Sequence, residues 1–179
     1  MKVQKLRKTF FAIATTIALL GAIQPGIGSA QTSGVGSDGI TRLMWRGTDG
    51  TFSLWRLDQN LNFMNYKVFG PVYEWTPVAL TVGSDNNTYV MWRHTTNGAP
   101  AIWRIDPNGN FAPGPELQPT PGWIPESLSI SQDGRNNLRV IWKCTNGRLS
   151  VWDVDHTTLQ LRSYKAFLPQ FGYDAGGTF

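Results

Sequence analysis

Three aromatic residues recur at a nearly constant spacing in stretches rich in proline and glycine, and three basic residues recur at a similar spacing. The aromatic residues are Trp75, Trp123 and Tyr173, and the basic residues are Arg46, Arg93 and Lys143. An aromatic ring can stack on the C–H face of a sugar while guanidinium and ammonium groups donate hydrogen bonds to its hydroxyls. The two sets therefore predict a carbohydrate-binding site in each repeat. The alternative is that the aromatic rings pin neighbouring repeats together.

Two further series of tryptophans share this period. They are Trp45, Trp92 and Trp142, and Trp55, Trp103 and Trp152. All six lie within apolar runs, which predicts that they belong to the core. The markers agree on a period of about 48 residues and define three repeats, at approximately 35–81, 82–129 and 130–179.

Each repeat reads as four short antiparallel strands, and no sustained helical period is present in the repeats. In the middle repeat the predicted strands are residues 77–82, 88–93, 101–106 and 111–117. The stretches between them are rich in Asn, Asp and Gly, which tolerate the positive φ angles of tight turns. The predicted fold class is therefore all-β, with three four-stranded antiparallel repeats.

Two architectures fit three such repeats, a β-propeller and a β-trefoil. The second and third strands carry apolar residues on both sides, as in residues 43–45 and 52–57, so both faces of each sheet must be covered. This pattern favours propeller blades that stack face to face, whereas a trefoil barrel favours cleaner alternation. Alignment of the repeats also predicts that residues 175–179 supply a first strand that the N-terminal repeat lacks, which would close a ring.

Residues 46–55, with the sequence RGTDGTFSLW, resemble the blade repeats of bacterial and invertebrate propeller lectins. The resemblance extends over residues 35–179 as a pattern of spacing and turns, and it implies blades that bind simple sugars. Those lectins close with about five to seven blades, so the resemblance implies a homodimer in which two chains provide about six blades. Residues 103–111 are similar to the tryptophan-centred repeat of ricin-type β-trefoil lectins, which also bind sugars.

The first thirty residues have the pattern of a cleaved signal peptide. Residues 1–8 contain four basic residues and no acidic residue, and the apolar run that follows, residues 10–23, is short for a membrane span. Gly28, Ser29 and Ala30 supply the small residues that precede a cleavage site. We therefore expect cleavage after Ala30, a single domain at residues 31–179, and a secreted or periplasmic protein without a membrane anchor.

The charge of the chain is concentrated in that first segment. Its four basic residues account for the whole excess of 16 basic over 12 acidic residues, so residues 31–179 are formally neutral. The usual inference from basic charge to nucleic acid or an anionic membrane therefore does not apply. A neutral surface fits an uncharged partner such as a carbohydrate or glycoconjugate. Cys144 is the only cysteine, and we expect it to be a small buried apolar residue.

Catalytic and metal-binding patterns are missing from the sequence. It contains no HExxH, GxSxG or paired-cysteine motif, and neither His94 nor His156 recurs in the repeat. The recurring acids Asp58, Asp106 and Asp155 each precede a turn and are predicted to form it. We therefore expect no enzyme activity, no metal and no cofactor. The prediction is a non-catalytic, lectin-like carbohydrate-binding protein, and the alternative is a structural or adhesive protein-interaction module of the cell envelope.

Overall fold

The computed structural model describes residues 33–131 and 133–169, which form twelve β-strands joined by turns and loops. The strands are β1 (Ser33–Val35), β2 (Thr41–Arg46), β3 (Phe52–Leu57), β4 (Phe63–Phe69), β5 (Trp75–Val82), β6 (Thr88–His94), β7 (Pro100–Ile105), β8 (Phe111–Ala112), β9 (Trp123–Ile130), β10 (Leu138–Cys144), β11 (Leu149–Val154) and β12 (Leu161–Phe167). Within these two ranges no helix is long and apolar enough to cross a membrane. The predicted signal peptide, residues 1–30, and the predicted closing strand, residues 175–179, lie outside the described residues.

The strands form three separate antiparallel sheets, which we call blades 1, 2 and 3. Blade 1 contains β1 to β4, blade 2 contains β5 to β8 and blade 3 contains β9 to β12, each in chain order across the sheet. This arrangement confirms the all-β prediction of blade-like repeats. The β-trefoil alternative is wrong, because a trefoil combines strands of all its repeats in one barrel, whereas the described strands pair only within their own blade. Blades 2 and 3 each begin with a strand, β5 and β9, that the approximate repeat bounds place at the end of the preceding repeat.

The core lies between the blades, in two clusters of buried side chains. Strand β6 contributes to both, because successive residues of a strand point to opposite faces of the sheet. Val90 and Trp92 pack with residues of blade 1, whereas Tyr89 and Met91 pack with residues of blade 3. Residues 88–92 are consequently all buried, as expected of a sheet that is covered on both sides.

The six repeated tryptophans do not share one environment. Trp92, Trp103, Trp142 and Trp152 are buried between blades, which confirms the prediction that they are core residues. For Trp45 and Trp55 that prediction is wrong, because their side chains are 52% and 36% exposed. Both lie on the face of blade 1 that points away from blade 2, where no described blade covers them.

The N-terminal blade has its own first strand, which corrects the prediction that it lacks one. Strand β1 pairs with β2 from Ser33 opposite Leu43 to Val35 opposite Thr41. A Cβ atom at Gly34 would lie 3.0 Å from Val82 Cγ2 and 3.1 Å from Leu80 Cδ2. Glycine therefore allows this short strand to approach the innermost strand of blade 2 closely.

The outermost strand of blade 2 is shorter than the predicted residues 111–117. The ladder with β7 stops after Phe111 and Ala112, because Pro113 and Pro115 have no N–H group to donate, and Glu116 forms only an isolated bridge with Ala101. The chain returns to the sheet at Leu117, whose N–H donates to the carbonyl oxygen of Pro100 at 2.8 Å. Two prolines thus convert most of the fourth strand into a strap across blade 2.

The turns after the third strands are formed as the sequence predicts. Asp58 Oδ1 accepts hydrogen bonds from the backbone N–H groups of Asn60 and Asn62 at 2.9 and 2.8 Å. Asp106 and Asp155 accept backbone hydrogen bonds in the equivalent turns. Hydrogen bonds in these turns hold the pKa of each of the three carboxyl groups below its ordinary value; the Asn62 side chain contributes most at Asp58, and backbone N–H groups contribute most at Asp106 and Asp155. Turn formation, as predicted, is the structural role of these acids.

Candidate functional site

Trp75 and Trp123, two of the three aromatic residues of the predicted sugar sites, lie in strands, not in loops. Trp75 and Trp123 are the first residues of β5 and β9, the innermost strands of their blades, and each is half-buried against an interblade cluster. The Trp75 ring is perpendicular to the His94 ring, with 4.9 Å between centroids, and lies 5.7 Å from that of Trp103. Tyr173 lies outside the described residues. Both rings therefore contribute to packing between blades, which was the alternative role given to them.

The basic residues of the predicted sites stand at the same end of the blades. Arg46 is the last residue of β2, and its Nη1 lies 3.4 Å from Thr76 Oγ1, to which it donates. This contact brings Arg46 beside Trp75 across the junction of blades 1 and 2. Arg93 lies opposite Thr76 within blade 2, and Lys143 lies opposite Ile124 within blade 3. A sugar site at this end of the blades remains a prediction.

A cleft of about 370 Å³ lies between blades 1 and 2 at the opposite end of the strands. Its walls carry three amide side chains and three basic side chains, namely Asn65, Asn86, Asn108, Arg42, Arg56 and Lys67. Blade 1 supplies the residues from β2, β3 and β4, and blade 2 supplies Asn86 and Asn108 from two of its turns. The cleft therefore brings together residues that are far apart in the sequence.

Arg42 forms the base of this cleft and has its charge neutralised within the protein. Only 2% of its side chain is exposed, and its Nη1 and Nη2 donate to the two carboxylate oxygens of Asp38 at 2.6 and 2.8 Å. The Arg42 guanidinium holds the pKa of the Asp38 carboxyl below its ordinary value. Nη1 also donates to the carbonyl oxygen of Ile40 at 2.7 Å. Arg42 is therefore a structural part of the wall.

Arg56 and Lys67 give the cleft its cationic character. Arg56 Nη1 donates to the carbonyl oxygen of Pro107 at 3.0 Å, which fixes the guanidinium against a turn of blade 2. A Cβ atom at Gly109 would lie 2.7 Å from Lys67 Cδ and 3.3 Å from its Nζ, so Lys67 extends across to the same turn. The acidic residue at the rim, Asp106, accepts hydrogen bonds from Asn110 at 2.7 Å through both of its oxygens. The arrangement can donate hydrogen bonds to a ligand rich in hydroxyl or carboxylate oxygens.

A more open depression of about 450 Å³ lies where the innermost strands of the blades end. Its lining consists of small, aliphatic and uncharged polar residues. Two of the serines there link the blades, since Ser37 Oγ donates to the carbonyl oxygen of Ser84 at 2.9 Å and Ser84 Oγ lies 2.7 Å from Asn136 Oδ1. Compared with the cleft, this depression offers a ligand no charged side chain.

The remaining residues that could bind a metal or react chemically are found in packing contacts. In the described part of the chain no three His, Cys, Asp or Glu side chains stand close enough together to hold a metal ion. Cys144 is buried at the end of β10, which confirms its predicted place in the packing. His94 lies against Trp75, and its Nε2 is 3.7 Å from a carboxylate oxygen of Glu74.

The comparisons with known proteins identify the class of fold and no family. No protein-family model matches the chain, and no curated protein matches it. The Dos1 propeller superposes with a TM-score of 0.53 at 9% identity, over 75% of this chain and 36% of that one. The propeller domain of the Trilobed protease from Pyrococcus furiosus gives 0.50 at 12% identity, over 79% and 43%. A protein from Lactobacillus plantarum gives 0.50 at 18% identity, over 78% and 42%.

These similarities, together with the stacked four-stranded sheets, place the described chain in the β-propeller class. The chain spans less than half the length of each of these three structures. At such low identities the likeness concerns the fold alone, so the function has to be argued from the side chains.

Proposed function

We propose that this protein is a non-catalytic carbohydrate-binding protein that is exported from the cell. The observation that carries the proposal is the interblade cleft, where amide and basic side chains from two blades surround about 370 Å³. That volume is in the range of small-ligand sites. Saccharides are recognised by many directed hydrogen bonds to hydroxyl oxygens, and amide and guanidinium groups supply such bonds with fixed geometry. The recurring residues Arg46, Trp75, Arg93, Trp123 and Lys143, at the other end of the blades, form a proposed second surface. Tyr173 belongs to the same proposal but lies outside the described residues.

The local charge of the cleft refines the expected ligand. The domain is neutral as a whole, but Arg56 and Lys67 both line this cleft, whereas Arg42 is neutralised by Asp38. Two cations among amides favour a saccharide that carries a carboxylate, such as a uronic acid, over a neutral sugar, because charge-assisted hydrogen bonds are the stronger ones. Binding of such a ligand should weaken as salt is raised.

Arg56→Met tests the proposed site. We expect the variant to lose at least tenfold in affinity for acidic oligosaccharides, because a hydrogen bond to a charged group contributes about 1.5–3 kcal/mol. Arg104→Met is the matched control, since Arg104 is the equivalent residue of blade 2 and does not line the cleft. A glycan array followed by titration calorimetry measures both. If the wild-type protein binds no glycan, the carbohydrate proposal is wrong, and if both variants bind equally, the cleft is not the site.

Export gives a separate prediction. We expect the secreted or periplasmic protein to begin at Gln31, because the small residues up to Ala30 form the cleavage site. N-terminal sequencing or intact mass measurement of the protein recovered outside the cytoplasm would establish this. Retention of residues 1–30 in the exported protein would contradict it.

The second candidate function is a structural or adhesive protein-interaction module of the envelope. It is favoured by the outermost strands β4 and β12, whose apolar side chains are exposed, among them Met64, Val68 and Leu161. The glycan array separates the two candidates, since such a module would bind protein and leave every sugar unbound.

A further inference from the structure

Each blade has two chemically different faces, which the repeat reproduces. The tryptophan face carries Trp45 and Trp55 in blade 1, and the equivalent pairs are Trp92 with Trp103 and Trp142 with Trp152. The aliphatic face carries a cross-strand pair, which is Met44 with Leu54 in blade 1, Met91 with Ile102 in blade 2 and Ile141 with Val151 in blade 3. The two faces alternate along each strand.

At both junctions between the described blades, the tryptophan face of one blade packs on the aliphatic face of the blade before it. Trp92 and Trp103 share a buried cluster with Met44 and Leu54. One junction further on, the tryptophans of blade 3 share a cluster with Met91 and Ile102 of blade 2. The chain therefore contains the same interface twice, and its geometry is set by residues that the repeat retains.

Two faces are left over, and they are the two complementary halves of that interface. At one end, Trp45 is 52% exposed, whereas its equivalents Trp92 and Trp142 are each 1% exposed. At the other end, Ile141 and Val151 are incompletely buried, whereas the equivalent Met91 and Ile102 are buried completely. Both ends of the described stack thus retain the residues of an interface without the partner blade.

The exposed tryptophan face is too apolar to be an ordinary surface. Around Trp45 and Trp55 lie Phe63 and Tyr66, with ring centroids 5.3 and 6.3 Å from that of Trp55. Val68 extends the same face and is also exposed. A fully buried aromatic side chain covers about 150–250 Å². Contiguous apolar patches larger than a few hundred Å² on soluble proteins mark interaction sites.

We propose that a second copy of this chain covers both free faces, so that the tryptophan face of blade 1 packs on the aliphatic face of blade 3 in the partner. A two-fold axis forms this contact twice and closes a ring of two three-bladed chains. The inference rests on other residues than the carbohydrate proposal, since neither Trp45 nor Val151 lines the cleft and, of the free-face residues named here, only Tyr66 does.

The inference is tested by light scattering, which measures the mass of the purified protein in solution. The wild type is expected to have twice the chain mass at micromolar concentration. Trp45→Glu and Val151→Glu should each raise the dissociation constant at least tenfold, because each places a charge in the centre of the apolar contact. Tyr73→Glu is the control: Tyr73 is an exposed aromatic residue too, at 71%, but it lies in the loop between blades 1 and 2, so this variant should remain dimeric.

Mixing the two monomeric variants identifies which faces meet. Trp45→Glu keeps an intact aliphatic face and Val151→Glu keeps an intact tryptophan face, so an equimolar mixture should recover a dimer through one unaltered contact. Circular dichroism establishes whether each variant is folded. If one variant does not fold, the dissociation constant of the other still tests the contact. A monomeric wild type overturns the inference, as does a Val151→Glu variant that stays fully dimeric, which would mean that two tryptophan faces pair with each other.

Discussion

Trp92→Ala is expected to lower the free energy of unfolding by about 3–5 kcal/mol, which is among the largest effects of a single truncation. Its indole is 1% exposed and fills the junction of blades 1 and 2, with ring centroids 4.9 Å from Phe52 and 4.6 Å from Trp103. Both neighbours are held in paired strands, so they cannot move in to fill the space that alanine leaves. Equilibrium unfolding in urea measures the change.

Trp45→Ala is the matched control, since it removes the same side chain from the equivalent position of blade 1. In dilute protein we expect a far smaller loss, because about half of the Trp45 side chain already faces solvent. At high protein concentration the loss should grow, because the dimer stabilises the folded state only when it forms. A loss below 1 kcal/mol for Trp92→Ala would mean that the two blades are not packed together.

The contrast between these tryptophans shows which part of the fold the sequence can predict. Period, strand number and turns follow from local patterns, and Asn86, Gly98 and Gly109 adopt the positive φ angles that their turns require. Burial of the tryptophans depends on which blade stands opposite. Trp45 and Trp92 both lie in a Met-Trp-Arg motif of a second strand, and the order of the blades makes one exposed and the other buried.

The residues at which strands begin and end were harder to predict than the number of strands. Trp75 and Trp123 follow stretches rich in Pro and Gly, which is typical of loops, yet each pairs with the end of the next strand. In blade 2 the pattern of residues 111–117 predicts a full strand, but its two prolines remove the donors that such a strand needs. In the first case, pairing with a neighbouring strand overrides the local composition. In the second case, the missing N–H groups of the prolines override the apolar pattern.

The repeat does not predict the cleft, because several of its residues have no equivalent in the neighbouring blade. Asn65 and Lys67 lie on β4, and blade 2 has no equivalent for them because its fourth strand ends at Ala112. Asn86 and Asn108 belong to turns, where asparagine is expected for conformational reasons. The available signal was the polar character of β4 at Asn65 and Lys67, where apolar and aromatic residues otherwise prevail, although Lys67 recurs as Lys165 in β12.

Asp38→Ala is expected to lower the free energy of unfolding by about 3 kcal/mol at neutral pH. The Arg42 guanidinium is 2% exposed, and Asp38 provides its only carboxylate partner among the described ion pairs. Removal of the carboxylate leaves a buried cation with only carbonyl oxygens as acceptors, at 2.7 Å from Ile40 and 3.4 Å from Asn86. Asp58→Ala is the control, because Asp58 only caps an exposed turn, and its loss should be clearly smaller. If urea unfolding showed equal losses of unfolding free energy for the two variants, the buried Arg42–Asp38 pair would stabilise the fold no more than an exposed turn does.

The effect of Asp38→Ala should itself depend on pH, with a sign that the hydrogen bonds determine. The hydrogen bond from Arg42 keeps the pKa of Asp38 below its ordinary value of 3.8. The carboxylate therefore stabilises the folded protein fully above that value, and the stabilisation disappears as the pH falls through the lower pKa of the folded state. The difference between wild type and Asp38→Ala should be constant from pH 5 to 7 and shrink below about pH 4. A difference that grows on acidification would show that the buried Arg42 is not neutralised by this carboxylate, and the wall of the cleft would then need another anion.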